Sequence, residues 1–333
     1  MTDDAVRDFA QRLAVVVVTF NRAELLRRVL DSLAALPQPP GHIVVVDNAS
    51  RDNTQSVIAQ AAQKFDPGVL IDLYSPTNTG GSGGFHQGVE RALATGAEWV
   101  WLMDDDVEVL PEALAGLEPW TQRFQAIQGR RYNVDGTPFY WQFDFNTRLG
   151  IPNPAARDHF GPEGWLPMNT ACFEGGLFHR QVIKQIGLPD PRFFIYWDDA
   201  VYGYLASKVT QPALVDTFIL ARTRDIKRAQ LSRSRKLNGT SDMVRYYIMR
   251  NRGYMARYFD RYGDWHRFAF GFGTLLTLAK ELTRIVLVDH SFRKGIPALF
   301  RGMRDARQLR RNRHWQPMPP LDLEADPKRA AKA

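Results

Sequence analysis

Three consecutive aspartates, Asp104, Asp105 and Asp106, directly follow an apolar segment and are well suited to bind a metal ion. Adjacent ionised carboxylates repel one another, so a divalent cation such as Mg²⁺ or Mn²⁺ would stabilise them. Alternate side chains of an extended segment share a direction, which predicts that Asp104 and Asp106 bind one ion while Asp105 points elsewhere. The alternative is a solvated turn that caps the next helix.

A second pair of carboxylates, Asp198 and Asp199, follows Trp197 and an aromatic segment at residues 193–196. Low-polarity surroundings raise the pKa of a carboxyl group, as a general base working near neutral pH requires. The pair can equally begin a helix that continues through Leu205, because aspartate is a common N-cap residue. The two interpretations are compatible.

A glycine-rich segment, NTGGSGGF, covers residues 78–85. It contains Asn78, Gly80, Gly81, Gly83 and Gly84. Glycines allow main-chain amides to approach phosphate or sugar oxygens at a helix start, although a flexible loop is the alternative. The segment matches neither the Walker pattern nor GxGxxG. Asp47, after another apolar segment, can accept a hydrogen bond from a base or ribose, or can simply cap the following turn.

Strands and helices that alternate along the first third of the chain would position these residues. The predicted strands cover residues 13–20, 42–47, 69–74 and 99–103. Helical segments follow the first three strands, at 24–36, up to about 65, and at 85–95. This alternation predicts an α/β fold with a mostly parallel sheet. The polar clusters all follow strands, so we expect them to meet in one crevice beyond the carboxyl ends of the strands.

The remaining sequence suggests two further parts. Residues 125–167 are rich in aromatics, Gly and Pro, which predicts short strands and long loops lying over the sheet. A helix is predicted over 180–186, and the longest helices of a basic region are predicted over 242–259 and 268–288. The predicted organisation is an α/β domain over 1–221, a basic amphipathic helical module over 222–316, and a disordered tail over 317–333.

The positive charge of the chain is concentrated in this basic module. The 333 residues carry a net charge of +7, yet residues 222–315 hold 23 Lys/Arg against 7 Asp/Glu. Such a region attracts polyanions, for example anionic lipid head groups, pyrophosphate-bearing molecules or nucleic acid; a solvated helical surface is the alternative. No helix-turn-helix, RNP or zinc pattern supports nucleic-acid binding.

Cysteine content and hydropathy bear on the compartment. The lone Cys172 cannot form an internal disulfide or a multi-cysteine zinc site, which favours a reducing compartment. The N-terminal residues lack the apolar stretch of a secretory signal. The longest apolar tract, 268–288, contains Lys280, Glu281 and Arg284, which disfavours a membrane-spanning helix. We therefore expect a cytoplasmic protein.

Five motifs together resemble family 2 glycosyltransferases, inverting enzymes with the GT-A fold, over residues 13–220. They are VVVVTFNR (15–22), VVVDNAS (44–50), NTGGSGGFHQG (78–88), WVWLMDDD (99–106) and FEGGLFHR…GLPDPRFFIYWDD (173–199). The resemblance is greatest to bacterial galactofuranosyl- and rhamnosyltransferases of cell-envelope polysaccharides. It implies a donor, UDP-galactofuranose or dTDP-rhamnose, a lipid-linked glycan acceptor, and Mn²⁺ or Mg²⁺.

The resemblance also implies roles for the matching residues. The implied nucleotide-sugar site comprises Thr19, Arg22, Asp47, Asn78, Gly80, Gly81, Gly83, Gly84 and Asp105. Asp104 and Asp106 would bind the metal that bridges the diphosphate. Asp199 would be the catalytic base, with Trp197 and Asp198 at the acceptor. Inversion would follow from one displacement, in which the deprotonated acceptor hydroxyl attacks C1 opposite the leaving nucleotide diphosphate.

Three features depart from the family pattern. Val201 stands where an acidic residue often follows the base, and Leu205 stands near the place of a common arginine. Residues 213–227 contain no histidine, although many members have a metal-binding histidine in this region. These departures motivate an alternative, a degenerate member that binds a nucleotide sugar or glycan without transfer. In an active enzyme, the basic module would dock peripherally on the anionic inner face of the cell membrane.

Overall fold

The computed structural model describes residues 3–140, 143–153, 156, 159–224, 228–232 and 235–321. A sheet of ten strands crosses the molecule, and the first four strands in sequence form its parallel half, in the order β3-β2-β1-β4. These strands are β1 (Leu13–Thr19), β2 (His42–Asp47), β3 (Leu70–Tyr74) and β4 (Trp99–Asp104). The helices before and between them are α1 (Asp3–Gln11), α2 (Ala23–Ala34), α3 (Thr54–Ala62) and α4 (Gly80–Ala94). The predicted α/β architecture is confirmed here.

The valine-rich strand β1 is buried along its whole length because helices cover both faces of the sheet. Val16 and Val18 point into a core that also contains Val89 of α4. Val15 and Val17 point into the opposite core, which includes the buried leucines of α2. The continuous apolar sequence of β1 thus serves two cores and holds the strand end at Thr19 in place.

The second half of the sheet is mixed, and its strands come from distant parts of the chain. β11 lies antiparallel between β4 and β6, and β12 runs parallel to β6. The elements of this half are β5 (Val107–Val109), α5 (Ala113–Thr121), β6 (Ala126–Tyr132), β7 (Pro138–Phe139), β8 (Phe145–Asn146), β9 (Ile151–Pro152), β10 (Trp165–Pro167), β11 (Gly176–His179), α6 (Arg180–Ile186), a 3₁₀ turn (Pro191–Phe193), α7 (Asp198–Ala206) and β12 (Ala213–Arg222). The expectation that residues 125–167 fold over the sheet is wrong for β6, β7 and β10, which are strands of the sheet itself.

The C-terminal helices pack on the α/β domain. They follow a hairpin of two strands, β13 (Arg228–Ser232) and β14 (Arg235–Asn238). The helices are α8 (Asp242–Arg250), α9 (Arg252–Arg261), α10 (Arg267–Arg284), a π-helical turn (Ile285–Asp289) and α11 (Phe292–Arg311). The segment predicted as one helix over 242–259 is divided at Asn251. Tyr258 and Phe259 of α9 belong to the same core as Phe145 and Trp197. Within the described residues, no helix combines the length and hydropathy needed to cross a bilayer.

The first residues of the predicted disordered tail, 317–321, contact the folded part of the chain. The Met318 amide donates to the Tyr258 hydroxyl at 3.2 Å, and the Leu321 amide donates to the Lys184 carbonyl at 2.7 Å. These contacts correct the prediction for residues 317–321, whose prolines run along the surface of α6 and α9. Residues 322–333 lie outside the described part of the chain.

The glycine-rich segment is the first part of α4 rather than a loop. Gly84 of this segment and Gly88, one turn later, allow the helix to lie unusually close to β1: a Cβ atom on Gly84 would stand 2.4 Å from Val18 Cγ1, and one on Gly88 would stand 2.3 Å from Val16 Cγ1. Steric contact with the sheet, rather than loop flexibility, explains these two glycines.

We predict that Gly88→Ala destabilises the fold by about 1–3 kcal/mol, because the added methyl group overpacks the contact with β1. Gly271→Ala is the matched control, since a Cβ there meets no atom within 4 Å in α10. That substitution should stabilise the protein by about 0.5–1 kcal/mol through helix propensity. Urea unfolding of both variants measures the two changes; a Gly88→Ala variant as stable as the parent would contradict the close packing.

Candidate active site

One cavity of about 460 Å³ opens beyond the carboxyl ends of β1 and β4, and its volume is typical of a small-molecule site. Its wall brings together most of the charged residues that the sequence singled out. Lining residues include Arg22, Gly81, Asp104, Asp106, Glu174, Trp197, Asp198, Asp199 and Arg222. The predicted metal ligands, the predicted base and the predicted acceptor residues therefore line one cavity, although two distant segments supply them.

Three carboxylates in this wall form a group that can hold a divalent cation. Asp104, Asp106 and Glu174 each offer one oxygen, and the three atoms lie within 4.8 Å of one another. Burial, followed by the charges of Asp106 and Glu174, raises the pKa of Asp104 well above its usual range. Hard carboxylate oxygens in such a group suit Mg²⁺ or Mn²⁺, whose charge would offset the repulsion.

Glu174 is the member of this group that sequence reasoning missed, although it lies in the quoted FEGG motif. The following Gly175 adopts φ 104°, a left-handed conformation that turns the chain into β11 and leaves Glu174 at the cavity wall. Its Oε1 atom lies 3.2 Å from Arg131 Nη1 and 3.1 Å from Arg222 Nε. Arg222 belongs to residues 213–227, the segment that lacks the family histidine. Its side chain lines the cavity, so this segment supplies an arginine to the site.

The middle aspartate faces away from the triad, as the alternation of side chains predicts. Asp105 accepts hydrogen bonds from the Thr19 hydroxyl and from Arg22 Nη1, both at 2.8 Å. Thr19 is almost fully buried, and its hydroxyl supports Asp105. Arg22 reaches the cavity and also lies 3.9 Å from Asp106. The Thr19 hydroxyl therefore lies on the buried side of Asp105. Arg22 lies on the other side, between the Asp105 carboxylate and the cavity.

Asp47 and Asn78 stabilise local backbone at the edge of the site. Asp47 is buried and accepts from the Ser50 amide at 2.9 Å and from Gln55 Nε2 at 2.7 Å, so it caps the turn, one of the two roles its sequence allowed. Asn78 Oδ1 accepts from the Gly80 amide at 2.8 Å. Neither residue lines the cavity. Their contact with a nucleotide remains a prediction.

The start of α4 is fixed by two neighbours. Asn48, which sequence reasoning passed over within VVVDNAS, donates to the Gly80 carbonyl and accepts from the Thr79 amide, each at 2.9 Å. Gly80 adopts φ 75°, and a Cβ there would stand 2.1 Å from the Phe194 carbonyl oxygen. Of the four glycines, Gly81 lines the cavity, whereas Gly83 and Gly84 pack against Thr79 and Val18.

The loop before the WDD motif is held in an unusual backbone conformation. Phe194, Tyr196 and Trp197 all have φ between 66° and 73°, a region that side-chain-bearing residues rarely occupy. Asn251, between α8 and α9, donates through Nδ2 to the carbonyls of Phe193, Ile195 and Tyr196 at 2.8–2.9 Å. The helical module thus fixes the loop that carries the candidate base. No pattern in the sequence indicated this role for Asn251.

The two carboxylates of the WDD motif begin α7 as predicted, but they occupy its first turn, and the N-cap residue is Trp197 and not an aspartate. Asp198 accepts a 2.7 Å hydrogen bond from the Ser82 hydroxyl of α4. Asp199 Oδ1 accepts from the Ala200 amide at 2.7 Å. Burial, followed by the charge of Asp198, raises the pKa of Asp199 to about 7. A carboxylate with this pKa can accept a proton near neutral pH.

Residues 14–187 match the profile of the family described as Glycosyl transferase family 2, which is more than half of the chain. The chain belongs to glycosyl transferase family 2. The family and the α/β fold predicted from the five motifs are therefore confirmed.

Several curated glycosyltransferases are similar in sequence. The chain is 34% identical over 199 residues to galactofuranosyltransferase GlfT1 of Mycobacterium tuberculosis, covering 55% of this chain and 60% of that protein. It is 31% identical over 198 residues to GlfT1 of Mycolicibacterium smegmatis, covering 56% and 62%. A Campylobacter jejuni GalNAc(5)-diNAcBac-PP-undecaprenol beta-1,3-glucosyltransferase is 35% identical over 106 residues, covering 32% and 33%. The matches thus span about three fifths of the GlfT1 proteins.

Solved structures share the fold over a larger part of the chain. Residues 1–349 of S. aureus TarS in complex with UDP-GlcNAc superpose with a TM-score of 0.57 at 16% identity, covering 89% of this chain and 81% of that one. A longer TarS structure gives a TM-score of 0.54 at 17% identity, covering 89% and 49%. At these identities the likeness establishes the fold.

We predict that Glu174→Gln weakens Mn²⁺ binding at least about tenfold, because an amide oxygen replaces one charged ligand of three. Isothermal titration with Mn²⁺ in the presence of UDP measures the affinity. Glu163→Gln is the control, since Glu163 is exposed and pairs only with Arg123 among the described residues. Equal Mn²⁺ affinities for the two variants would show that Glu174 does not bind the ion.

Proposed function

We propose that this protein is a metal-dependent, inverting glycosyltransferase that moves galactofuranose from UDP-galactofuranose to a hydroxyl of a lipid-linked cell-envelope glycan. The observation that carries the proposal is the shared cavity of the carboxylate triad and Asp199. The GlfT1 relatives support the choice of sugar, and the undecaprenol-linked acceptor in the name of the C. jejuni relative supports the choice of acceptor. dTDP-rhamnose is the second candidate donor.

Asp104, Asp106 and Glu174 would hold the metal, and their oxygen donors and mutual repulsion fit Mn²⁺ or Mg²⁺. When bound, the cation supplies positive charge to the leaving diphosphate. Arg22 and Arg222 add two guanidinium groups at the same wall, suited to phosphate oxygens. Their contacts with Asp105 and Glu174 hold them in place before a donor arrives, which reduces the reorganisation that donor binding requires.

Asp199 would remove the proton from the acceptor hydroxyl as that oxygen attacks C1 of the sugar. The amide contact at Ala200 and the packing of Trp197, whose indole donates to the Ile248 carbonyl at 3.1 Å, orient the carboxylate. Trp197 and Asp198 line the same cavity and would contact the acceptor. One displacement, with the base opposite the leaving group, inverts the anomeric configuration.

The non-catalytic alternative rests on the departures at Val201 and Leu205 and on the missing histidine. Both Val201 and Leu205 are buried in the core of the α/β domain, away from the cavity wall. Neither substitution therefore removes a charged group from the site. Arg222 supplies a cationic side chain from the segment without histidine, so we favour transfer over binding alone.

The basic C-terminal region would bring this site to its acceptor. We place the protein at the cytoplasmic face of the cell membrane, held peripherally by anionic lipids, because a lipid-linked glycan is reached only at a membrane surface. The excess of Lys and Arg in residues 222–315 supports this location.

A donor screen tests the proposed reaction. With Mn²⁺ and a lipid-linked galactan acceptor, we expect UDP release and a product larger by one hexose with UDP-galactofuranose. Asp199→Asn should lower the turnover about a thousandfold or more while retaining Mn²⁺ and UDP binding, because it removes the base but no metal ligand. Donor binding without release by the parent protein would support the non-catalytic alternative instead.

The pKa of Asp199 predicts a pH dependence. At saturating Mn²⁺, kcat/KM should rise about tenfold per pH unit below pH 7 and level off above it, because only the ionised carboxylate accepts a proton. Asp198→Asn should move this midpoint to lower pH, since the negative charge of Asp198 helps raise the pKa of Asp199. A flat profile between pH 5.5 and 8 would argue against Asp199 as the base.

A further inference from the structure

Helix α10 exposes an apolar stripe along its length. Phe268 is 89% exposed, and one turn later Phe272 is 57% exposed. Leu275 and Leu276 follow at 58% and 40%. The spacing of four, three and one residues keeps these side chains on one face of the helix. A continuous row of large apolar side chains that are this exposed marks an interaction surface.

The buried face of the same helix is mixed: Phe270 near its start packs in the hydrophobic core, and the later part of this face is polar. Thr277, Glu281 and Arg284 point inward and are buried. Arg252 donates to Thr274 and Thr277, and Arg284 donates to Glu281 at 2.5 Å. Because α10 already packs against the rest of the chain through Phe270 and this polar network, the exposed stripe on its other face is not part of the core.

The stripe continues beyond α10 toward a cationic cluster. Val286 and Leu287 of the π-helical turn are about half exposed, as is Phe292 at the start of α11. Arg293 and Lys294 come next and are also exposed. Neither has an ion-pair partner among the described residues. Both line a groove of about 800 Å³ between α8 and α11, together with Tyr246, Tyr247, Arg301 and Arg304.

The charges of this surface favour an anionic occupant. Residues 267–313 contain three acidic side chains, and each pairs with an arginine in the structure. The pairs are Glu281 with Arg284, Asp289 with Arg245, and Asp305 with Arg304. The unpaired cations therefore border an apolar stripe, the combination by which peripheral helices recognise anionic bilayers.

We propose that α10 lies in the plane of an anionic lipid bilayer, with its stripe among the acyl chains and Arg293 and Lys294 at the phosphate head groups. Eighteen residues of α-helix are about 27 Å long, enough to anchor the protein along the surface without crossing it. The proposal deepens the proposed function, on which it rests, because it states how the enzyme reaches a lipid-linked acceptor.

Two other occupants fit the surface less well. A second copy of the chain would bring the same unpaired cations together across the interface, which is unfavourable. Residues 322–333 contain Leu323 as their one large apolar side chain, too little to cover the stripe.

Vesicle flotation tests the proposal with the full-length protein. The parent should float with phosphatidylglycerol vesicles more strongly than with phosphatidylcholine vesicles. Leu275→Asp/Leu276→Asp should lower this partitioning at least about tenfold. The control is Val134→Asp/Val209→Asp, which adds the same charge at two valines outside the stripe that are 52% and 40% exposed. Its partitioning into the vesicles should fall only by the amount that the change in net charge causes. Arg293→Gln/Lys294→Gln should reduce the preference for the anionic vesicles.

Three results would overturn the proposal: a parent protein that does not float, a stripe variant that floats as well as its control, or a dimer in light scattering that the stripe variant dissociates. Transfer to a short, water-soluble acceptor separates the two hypotheses. The stripe variant should retain this activity within about twofold. Transfer without flotation would reject the membrane proposal alone, and flotation without transfer by any donor would reject the proposed function alone.

Discussion

The site depends on the electrostatic repulsion among carboxylates that converge where the central strands end. Asp104 ends β4, Asp106 lies in the turn between β4 and β5, and Glu174 lies in the turn before the antiparallel strand β11. Their oxygens lie within 4.8 Å of one another, close enough that burial and neighbouring charge keep Asp104 prone to protonation. Arg131 and Arg222 offset part of this charge at Glu174. The arrangement still favours a cation and, beside it, a ligand that carries phosphate.

The candidate base is positioned from the opposite side of the cavity by the C-terminal helices. Asn251 binds three carbonyls of the loop before α7, and the Ile248 carbonyl accepts from the Trp197 indole. These contacts compensate for the three left-handed residues of that loop. The basic region is therefore part of the scaffold of the site as well as a charged surface. Its boundary with the α/β domain at residue 221 remains a prediction.

The sequence predicts the parts of the fold in which local pattern and burial agree. β1 to β4 are found within two residues of their predicted bounds, because each is an apolar segment followed by polar residues. β6 is missed since its sequence, AIQGRRY, carries polar side chains such as Gln128 and Arg131 whose buried partners lie near residue 174. The break at Asn251 is missed for the same reason: its hydrogen bonds go to residues more than fifty positions away. Tertiary partners of this kind leave no periodic signal.

The most direct test of the central claim is anomalous diffraction at the manganese edge from crystals of the protein with Mn²⁺ and UDP. The account predicts one strong peak within about 2.0–2.6 Å of oxygens from Asp104, Asp106 and Glu174. The diphosphate should lie between that ion and Asp199, with Arg222 beside it. UDP bound in the cavity with no metal peak at these three carboxylates would contradict the account.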